Sequence, residues 1–319
     1  MTSRIDPITV PKLYEPFPSA IHPDAQDLED AWMAAVDHYH LATTEAERDR
    51  IARTSLGFLG ARMYPTGPRD RVQLAVELNA WITKADDQDV EHTAGRGDLR
   101  AVADHLLRWR RAIEDPTAPL DNRADGIDHY FRDLCARLHQ VATPFQLLRM
   151  IAGIGDYVLG AAAESIYIRS RQVPGLTQYK EIRERVAGSL DGFFFILIEV
   201  VHGYELPVAT VTDPDFHALN LAAQNIVAIA NDIVSCRWER EAGVDANLPA
   251  ALAQHHRTTL QDGIDRAADL HRQRTLDYET IATRILTTAS PELAHYIKAL
   301  GMYVQGLQDW YRTTQRYVI

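Results

Sequence analysis

The chain has 319 residues, enough to bury the core of one large domain or of two average ones. Its 44 acidic and 33 basic side chains give a formal net charge of −11, which argues against a nucleic-acid-binding surface because such a surface needs a basic field. Only two cysteines are present, so we expect no disulfide framework and a reducing, cytoplasmic setting. The start lacks a secretory signal, and the longest apolar run, 193–201, is far shorter than the ~20 residues that span a bilayer. We therefore expect a soluble protein without membrane insertion.

Residues 1–24 are rich in proline and lack periodicity, which predicts an irregular N-terminal arm lying over the fold. From residue 25 to residue 319, apolar residues recur at three- and four-residue spacing, and no alternating strand pattern competes with them. No linker or repeat divides this part, so it predicts a single all-α domain. The predicted helices are 25–41, 44–60, 68–90, 97–113, 121–140, 143–169, 177–203 with a break, 213–241, 246–257, 259–287 and 291–315.

The end of the third predicted helix is strongly acidic, with carboxylates at Asp86, Asp87, Asp89 and Glu91. On an α-helix, Asp86 with Asp89 and Asp87 with Glu91 would form adjacent acidic pairs. Such crowding is unfavourable at the electronegative end of a helix unless cations occupy the site. The segment therefore predicts a divalent-metal site, with a solvated acidic helix end as the alternative.

A second polar pattern, Asn231, Ser235 and Glu239, follows in the helix predicted at 213–241. At about 100° per residue, these side chains share one face, while Ile226, Ile229, Ile233 and Val234 cluster on the far side. An amide oxygen, a hydroxyl and a carboxylate suit a hard cation such as Mg²⁺. Taken alone, the pattern is equally consistent with ordinary solvent-facing residues on an amphipathic helix.

An Asp-rich helix end followed about 145 residues later by N-D-x-x-S-x-x-x-E resembles the class I terpene synthases, specifically their bacterial terpene cyclase branch. The similarity covers nearly the whole chain and includes a terminal Trp310 followed by Arg316 and Tyr317. The resemblance implies a single helical bundle around a deep apolar pocket. It also implies that two metal-binding motifs face each other across the pocket mouth and hold three Mg²⁺ ions against a substrate diphosphate.

The resemblance assigns the metal-binding residues of both motifs. In the first motif, Val90 stands where the family usually has Asp, so Asp87, Asp89 and Glu91 compete for the second metal-contacting carboxylate. Near the second motif, Trp238 stands where many relatives carry Lys, so a diphosphate contact is lost or passes to Arg237 or Arg240. The implied metal ligands are Asp86, Asp87, Glu91, Asn231, Ser235 and Glu239.

The family also has a diphosphate-sensing arginine just before a helix break, followed by a small residue whose carbonyl faces the reacting chain. Arg183 and Arg185 both fit this description. Spacing to Asn231 and the following Gly188 and Ser189 favour Arg185, with the glycine and serine forming the break. Arg316 and Tyr317 match the C-terminal pair that binds diphosphate, a use that suits the planar guanidinium group.

The resemblance implies an enzyme that ionises and cyclises a linear prenyl diphosphate, with farnesyl diphosphate favoured over geranylgeranyl diphosphate because it is the more frequent substrate among relatives. Aromatic rings would line the pocket and stabilise the cation, although an aromatic at helical spacing is more often core. The rivals are a chain-elongating prenyl diphosphate synthase and a non-catalytic helical protein that binds metal and diphosphate. A homodimer is common in the family. The candidate aromatic residues are Trp81, Phe193, Phe194, Phe195, Trp310 and Tyr311.

Overall fold

The structure, a computed structural model, describes residues 8–187, 193–242 and 246–317, and its regular elements in these ranges are all helical. This confirms the predicted all-α fold. The α-helices are α1 Ala25–His38, α2 Glu45–Thr54, α3 Leu56–Met63, α4 Arg69–Lys84, α5 Thr93–Gly95, α6 Leu99–Glu114, α7 Gly126–Val141, α8 Pro144–Ser170, α9 Leu176–Val186, α10 Phe193–His202, α11 Val208–Val211, α12 Pro214–Ala242, α13 Leu248–His256, α14 Leu260–Leu286 and α15 Pro291–Tyr311. A π-helix, Ala85–His92, continues α4.

Two predicted helices are interrupted where the backbone geometry changes. The helix predicted at 44–60 is broken at Ser55, whose φ of 55° lies in the left-handed region that ends α2 before α3 begins. The helix predicted at 68–90 leaves α-geometry after Lys84 and becomes the π-helix. Neither change alters the apolar spacing of three and four residues, so the periodicity alone gave no sign of it.

Side-chain caps fix where several helices begin. Thr143 accepts a hydrogen bond from the Gln146 backbone N–H at the start of α8, and the Gln146 side chain accepts one from the Thr143 N–H. Thr259 and Asp262 form the same reciprocal box at the start of α14. These caps satisfy N–H groups that have no partner inside the helix.

The helices pack around one large hydrophobic core, and a smaller cluster lies beneath α9, α12, α13 and α14. Within the large core α4 contacts α3, α7 and α10, while α12 lies against α14 and α15. The described part of the N-terminal arm, 8–24, contains no helix and crosses α14, where Phe17 meets Tyr278 edge-on at 5.0 Å. This arrangement brings the C-terminal parts of α4, α9, α12 and α15 together around one cavity.

One described helix, α8, is long and apolar enough by composition to cross a membrane, and 44% of its most apolar window is buried inside the protein. It carries Arg149 and Glu164, both buried, and Arg149 pairs with the buried Glu199 on α10 at 2.7 Å. An inner helix of a folded bundle passes the same test of length and composition, so this helix is weak evidence for a membrane span.

Candidate active site

The Asp-rich segment lies on the π-helix, and this winding determines which carboxylates share a face. In a π-helix the backbone hydrogen bonds join residues i and i+5, so Asp86 and Glu91 lie on successive turns. Asp86, Asp87 and Glu91 all line a cleft at the end of the bundle. The Tyr157 hydroxyl on α8 donates a hydrogen bond to Asp86 Oδ1 at 3.0 Å. Short π-helical stretches occur frequently at functional sites, and this one carries half of the predicted metal ligands.

Asp89 lies away from the cleft, so the predicted α-helical pair of Asp86 with Asp89 is wrong. Its carboxylate is 3.9 Å from Lys84 Nζ and approaches His105 and Asp125. The wider π-helical turn separates it from Asp86, which an α-helix would have placed beside it. Asp87 and Glu91 are therefore the second and third acids of the segment that face the cleft.

Asn231, Ser235 and Glu239 face the same cleft from α12, opposite the π-helix. The Ser235 hydroxyl donates to the Asn231 carbonyl at 2.8 Å, and the Asn247 amide donates to Glu239 Oε2 at 2.8 Å. The Asn231 amide donates to the Tyr317 hydroxyl oxygen at 3.1 Å. The structure thus brings both predicted motifs to one cleft and orients the three residues of the second.

The charge of the cleft favours cations. Among the described residues, six carboxylates and two guanidinium groups line it, an excess of four negative charges if all are ionised. The donors are carboxylate, amide and hydroxyl oxygens, which match the preference of hard divalent cations. The residues present therefore fit a divalent metal. The carboxylates are those of Asp86, Asp87, Glu91, Glu164, Asp232 and Glu239 and the guanidinium groups those of Arg183 and Arg316.

Burial and mutual repulsion raise the pKa values of the cleft carboxyls. Burial raises the pKa of Asp86 to about 6, with repulsion from Asp87 the next cause. Burial and then repulsion from Asp232 raise the pKa of Glu239 to about 7. Burial, followed by the charges of Asp86 and Asp87, raises the pKa of Glu91 well above its usual range. These carboxyls resist being ionised at the same time, and a bound cation would reduce the repulsion between their charges.

Arg183, and not Arg185, reaches the cleft. Its Nη2 donates to Asn231 Oδ1 at 2.8 Å and lies 2.8 Å from Asp232 Oδ1. Asp232 is buried and also accepts hydrogen bonds from the Tyr179 hydroxyl and from the Leu248 backbone N–H. These contacts hold the arginine beside the second motif.

Arg185 lies on a different side of α9, where its Nη1 contacts Glu181 at 3.1 Å. It lines neither the cleft nor the cavity beneath it. Two residues along an α-helix rotate a side chain by about 200°, so Arg185 points away from the side that Arg183 occupies. The geometry therefore does not support the choice of Arg185 as the diphosphate sensor. Gly188 and Ser189, predicted to form the helix break, lie outside the described residues.

Arg316 and Tyr317 close the cleft from the C-terminal side. The Arg316 guanidinium pairs with Asp87 of the π-helix and lies 5.1 Å from the centre of the Tyr317 ring. Tyr317 meets Trp238 edge-on, with ring centroids 6.4 Å apart. Trp238 lines the cleft where the resemblance led us to expect a lysine, whereas Arg237 is exposed and does not line it. An aromatic side chain that contacts the C-terminal segment thus stands where a lysine was expected.

A cavity of about 140 Å³ lies directly beneath the cleft. Four residues line both spaces and form the boundary between them: Asp86, Arg183, Asn231 and Arg316. Below this boundary the walls are mainly apolar. They are formed by Leu59, Met63, Asn79, Ile82, Thr83, Val186, Ala187, Phe194, Val227, Ala228, Tyr303, Leu307, Trp310 and Tyr311.

Three of the six candidate aromatic residues line this cavity, namely Phe194, Trp310 and Tyr311. The other three do not. Trp81 is fully buried and stacks on Phe131 with ring centroids 3.7 Å apart, and Phe193 is fully buried. Phe195 packs edge-on against Tyr303 at 5.2 Å. The rings of these three residues pack in the hydrophobic core. Sequence spacing alone could not distinguish core packing from cavity lining.

Glu164 on α8 is a cleft residue that the sequence analysis missed. It lies seven residues after Tyr157, so both side chains leave the same face of α8 toward the cleft. Burial and then the charge of Asp86 raise the pKa of Glu164 to about 8. The available signal was an acid inside the apolar stretch 158–168, where an ionisable side chain is uncommon without a partner.

Comparisons with known proteins found similar sequences along the whole chain. A family model described as terpene synthase family 2, C-terminal metal binding, matches residues 77–277. Germacradien-6-ol synthase from Streptomyces pratensis is 28% identical over 324 residues, which cover 100% of this chain and 89% of the relative. T-muurolol synthase from Roseiflexus castenholzii, named as cyclising (2E,6E)-farnesyl diphosphate, is 28% identical over 309 residues, which cover 96% of this chain and 93% of the relative. Other matched relatives include a diterpene cyclase from a Streptomyces species.

A solved structure shows the same fold. The crystal structure of a variant of the SVS_A2 protein, obtained by ancestral sequence reconstruction, superposes with a TM-score of 0.85 at 26% identity. The match covers 95% of this chain and 89% of that chain. The likeness therefore extends over the helices that form both the cleft and the cavity.

Proposed function

The chain belongs to the terpene synthase family, within its bacterial terpene cyclase branch, and we propose that it ionises and cyclises a linear prenyl diphosphate with release of diphosphate. The observation that carries this proposal is the cleft itself. Two sets of oxygen ligands face each other across it, and Arg183 and Arg316 stand at its boundary with an apolar cavity. A molecule with an anionic head and a hydrocarbon tail matches that arrangement.

Farnesyl diphosphate is the substrate we favour. A relative that matches almost the whole chain is named for cyclising that compound. Geranylgeranyl diphosphate is the alternative, because a diterpene cyclase is also among the matched relatives. Product analysis with both substrates distinguishes them.

We assign the head of the substrate to the cleft and to three Mg²⁺ ions. The ligands would be Asp86, Asp87 and Glu91 from the π-helix and Asn231, Ser235 and Glu239 from α12. When bound, the metal supplies Lewis-acid stabilisation of the charge that develops on the leaving diphosphate. The excess of negative charge in the cleft supports this assignment, since the carboxylates need cations before a diphosphate can approach.

The two arginines bind the oxygens of the diphosphate. In this structure Arg183 contacts Asn231 and Asp232, and Arg316 contacts Asp87. Each arginine must turn part of its guanidinium from these acceptors toward the substrate, and charge-assisted hydrogen bonds to phosphate oxygens compensate for the exchange. Asp232 keeps Arg183 in place during this change because other donors, including the Leu248 N–H at 2.8 Å, fix the carboxylate.

The cavity beneath receives the hydrocarbon chain. Its apolar walls exclude water that would capture an allylic cation, and the faces of Phe194, Trp310 and Tyr311 attract positive charge without acting as good nucleophiles. The Trp310 indole N–H donates to the Thr54 carbonyl at 2.8 Å, which fixes the orientation of that ring. Ala187, a small residue at the end of α9, lines the cavity four residues after Arg183. We propose it as a further candidate, beside the predicted Gly188 and Ser189, for the position near the reacting chain.

Substitution of the second motif tests the proposal. Asn231→Ala and Ser235→Ala should abolish diphosphate release from farnesyl diphosphate in the presence of Mg²⁺ and leave the circular dichroism spectrum of the helices unchanged. The matched control is Asn225→Ala, because Asn225 lies on α12 and, among the described residues, its amide donates only to the Leu221 carbonyl. If the two motif variants released diphosphate as fast as the control, the motif would have no part in the reaction.

A chain-elongating synthase is the second enzyme to exclude. Such an enzyme is expected to carry a second Asp-rich motif, whereas residues 231–239 present Asn, Ser and Glu. Adding isopentenyl diphosphate to the assay would yield longer prenyl diphosphates only if the chain were of that kind.

A further inference from the structure

Glu164 is a carboxylate in the cleft that the two metal-binding motifs do not include. Its residue is 8% exposed, and its side chain lines the cleft together with Asp86, Glu91 and Glu239. No hydrogen bond or ion pair joins this carboxylate to another described residue, and its electrostatic neighbours act on it only through charge. Glu164 is therefore a buried residue whose carboxylate lines the cleft and has no hydrogen-bond donor among the described residues.

A buried carboxylate without a donor is unfavourable when ionised. Glu199 on α10, another buried glutamate, shows the usual solution. Glu199 accepts from Arg149 Nη1 at 2.7 Å and from the Leu206 backbone N–H at 3.0 Å. Glu164 has no such partner in the part of the chain that the structure describes, and three of its four strongest charged neighbours are acids. The negative charge of the Glu164 carboxylate can be neutralised either by a proton or by a cation.

The position of Glu164 favours a cation. It belongs to α8, whereas the motif ligands belong to the π-helix and to α12, so it forms a third side of the cleft. Its charge acts on Glu91 of one motif, and the charge of Glu239 of the other motif acts on it. Arg183, the nearby guanidinium, is already paired with Asp232.

We propose that Glu164 is a further divalent-cation ligand of this enzyme, which contributes a carboxylate from α8 to the ions held between the π-helix and α12. This inference rests on the proposed function, because it assumes that the cleft binds divalent cations with diphosphate. Its consequence is that metal-dependent stabilisation needs three helical elements, and not only the two that carry the motifs.

The test measures cation binding without turnover. Purified full-length protein is titrated with Mn²⁺ at saturating inorganic diphosphate, and bound ions are counted by electron paramagnetic resonance and followed by the shift in melting temperature. We expect Glu164→Gln to weaken Mn²⁺ binding by about tenfold or more, the range typical of losses around a metal site, and Glu164→Asp to bind between Gln and the wild type. Without metal, Glu164→Gln should melt at a higher temperature than the wild type, because a repelled carboxylate is removed.

Glu199→Gln is the matched control. It removes a buried carboxylate that has partners, so it should lower the melting temperature and leave the Mn²⁺-dependent increase unchanged. The proposal is overturned if Glu164→Gln binds Mn²⁺ as tightly as the wild type. It is also overturned if the variant loses affinity for inorganic diphosphate in EDTA, since Glu164 would then act only through Arg183.

Failure of this inference is distinguishable from failure of the proposed function. If wild-type protein converts a prenyl diphosphate and Glu164→Gln has unchanged Mn²⁺ binding, only the role of Glu164 is refuted. If wild-type protein converts no prenyl diphosphate under any metal condition, the proposed function is refuted as well.

Discussion

At the scale of single residues, Arg183 and Arg185 give the clearest contrast, since they are two positions apart on α9 and contact different surroundings. Arg183 meets Asn231 and Asp232 in the cleft, whereas Arg185 meets Glu181 outside it. We expect Arg183→Gln to lower kcat for farnesyl diphosphate by about 10²–10³, the usual loss when one preorganised donor to a developing anion is removed.

Arg185→Gln serves as the control for that experiment. Its effect on kcat should stay within about twofold, because the i,i+4 pair that it breaks is partly exposed and such pairs contribute little. Steady-state kinetics of the two variants side by side decide the matter. Equal losses in both, or a larger loss in Arg185→Gln, would restore the assignment that sequence spacing favoured.

The raised carboxyl pKa values predict how stability depends on pH in the absence of metal. The folded protein binds protons more tightly than the unfolded chain at Asp86, Glu164 and Glu239, whose pKa values are raised to about 6, 8 and 7. Their contribution to stability is therefore complete below about pH 4 and is lost as the pH rises through these values. We expect the free energy of unfolding to fall between about pH 4 and 8, by on the order of a few kcal/mol in total.

Mg²⁺ with inorganic diphosphate should reduce that fall, since bound cations favour the ionised carboxylates. Glu239→Gln should make the metal-free profile shallower, because one of the titrating groups is gone. Chemical denaturation at a series of pH values measures both effects. A metal-free protein that became more stable from pH 6 to pH 8 would show that these carboxyls are not the dominant groups in that range.

At the scale of helices, the backbone geometry determines which polar side chains face the cleft, and the sequence alone did not predict this. Periodicity identified the two motifs and the all-α fold, because apolar spacing reports which face of a helix is buried. It did not report that Ala85–His92 winds as a π-helix, which brings Asp86 and Glu91 to one face and sends Asp89 toward Lys84. The same limit applies to α9, where a difference of two residues moved the cleft arginine from Arg185 to Arg183.

Glu164 was missed for a different reason. It carries no motif of its own and becomes part of the cleft only because α8 packs beside the π-helix and α9. The aromatic candidates show the same dependence on packing. Phe193 and Phe194 are neighbours in an apolar helix, yet only Phe194 lines the cavity. Contacts between distant elements cannot be read from local spacing.

The approach of α15 to α3 predicts a stability effect away from the chemistry. Gly306 lies against the backbone of Arg62 and Met63, and an added Cβ would lie 2.7 Å from the Met63 nitrogen. Gly306→Ala should therefore separate the two helices and destabilise the fold by about 1–3 kcal/mol, as overpacking usually does. Thermal unfolding of the metal-free protein measures the loss.

Gly155→Ala is the matched control on α8. The nearest neighbour of an added Cβ there would be the Arg110 side chain at 3.5 Å, an ordinary contact. The higher helix propensity of alanine should leave stability unchanged or raise it by up to about 1 kcal/mol. If Gly306→Ala unfolded at the same temperature as Gly155→Ala, the close approach of α15 and α3 would not constrain the fold.

At the scale of the whole molecule, one helical bundle places an acidic cleft above an apolar cavity and separates the two with charged and polar side chains. Asp86, Arg183, Asn231 and Arg316 line both spaces, so the ionisable head and the reacting tail of a substrate would meet at this boundary. The net charge of −11 is consistent with a role for metal, because the protein itself supplies few cationic groups for a diphosphate and metal ions must supply the remaining positive charge. The expectations of a homodimer and of a cytoplasmic location stay predictions.

The most direct test of the proposed function is to incubate the purified protein with farnesyl diphosphate and Mg²⁺ and to analyse the extracted volatiles by gas chromatography and mass spectrometry. We expect one or more cyclic 15-carbon terpenes together with stoichiometric diphosphate, and neither product when EDTA removes the metal. Cyclic products from geranylgeranyl diphosphate alone would change the substrate and keep the reaction. The absence of diphosphate release and of cyclic product from both farnesyl and geranylgeranyl diphosphate would contradict the proposal that this chain is a prenyl diphosphate cyclase.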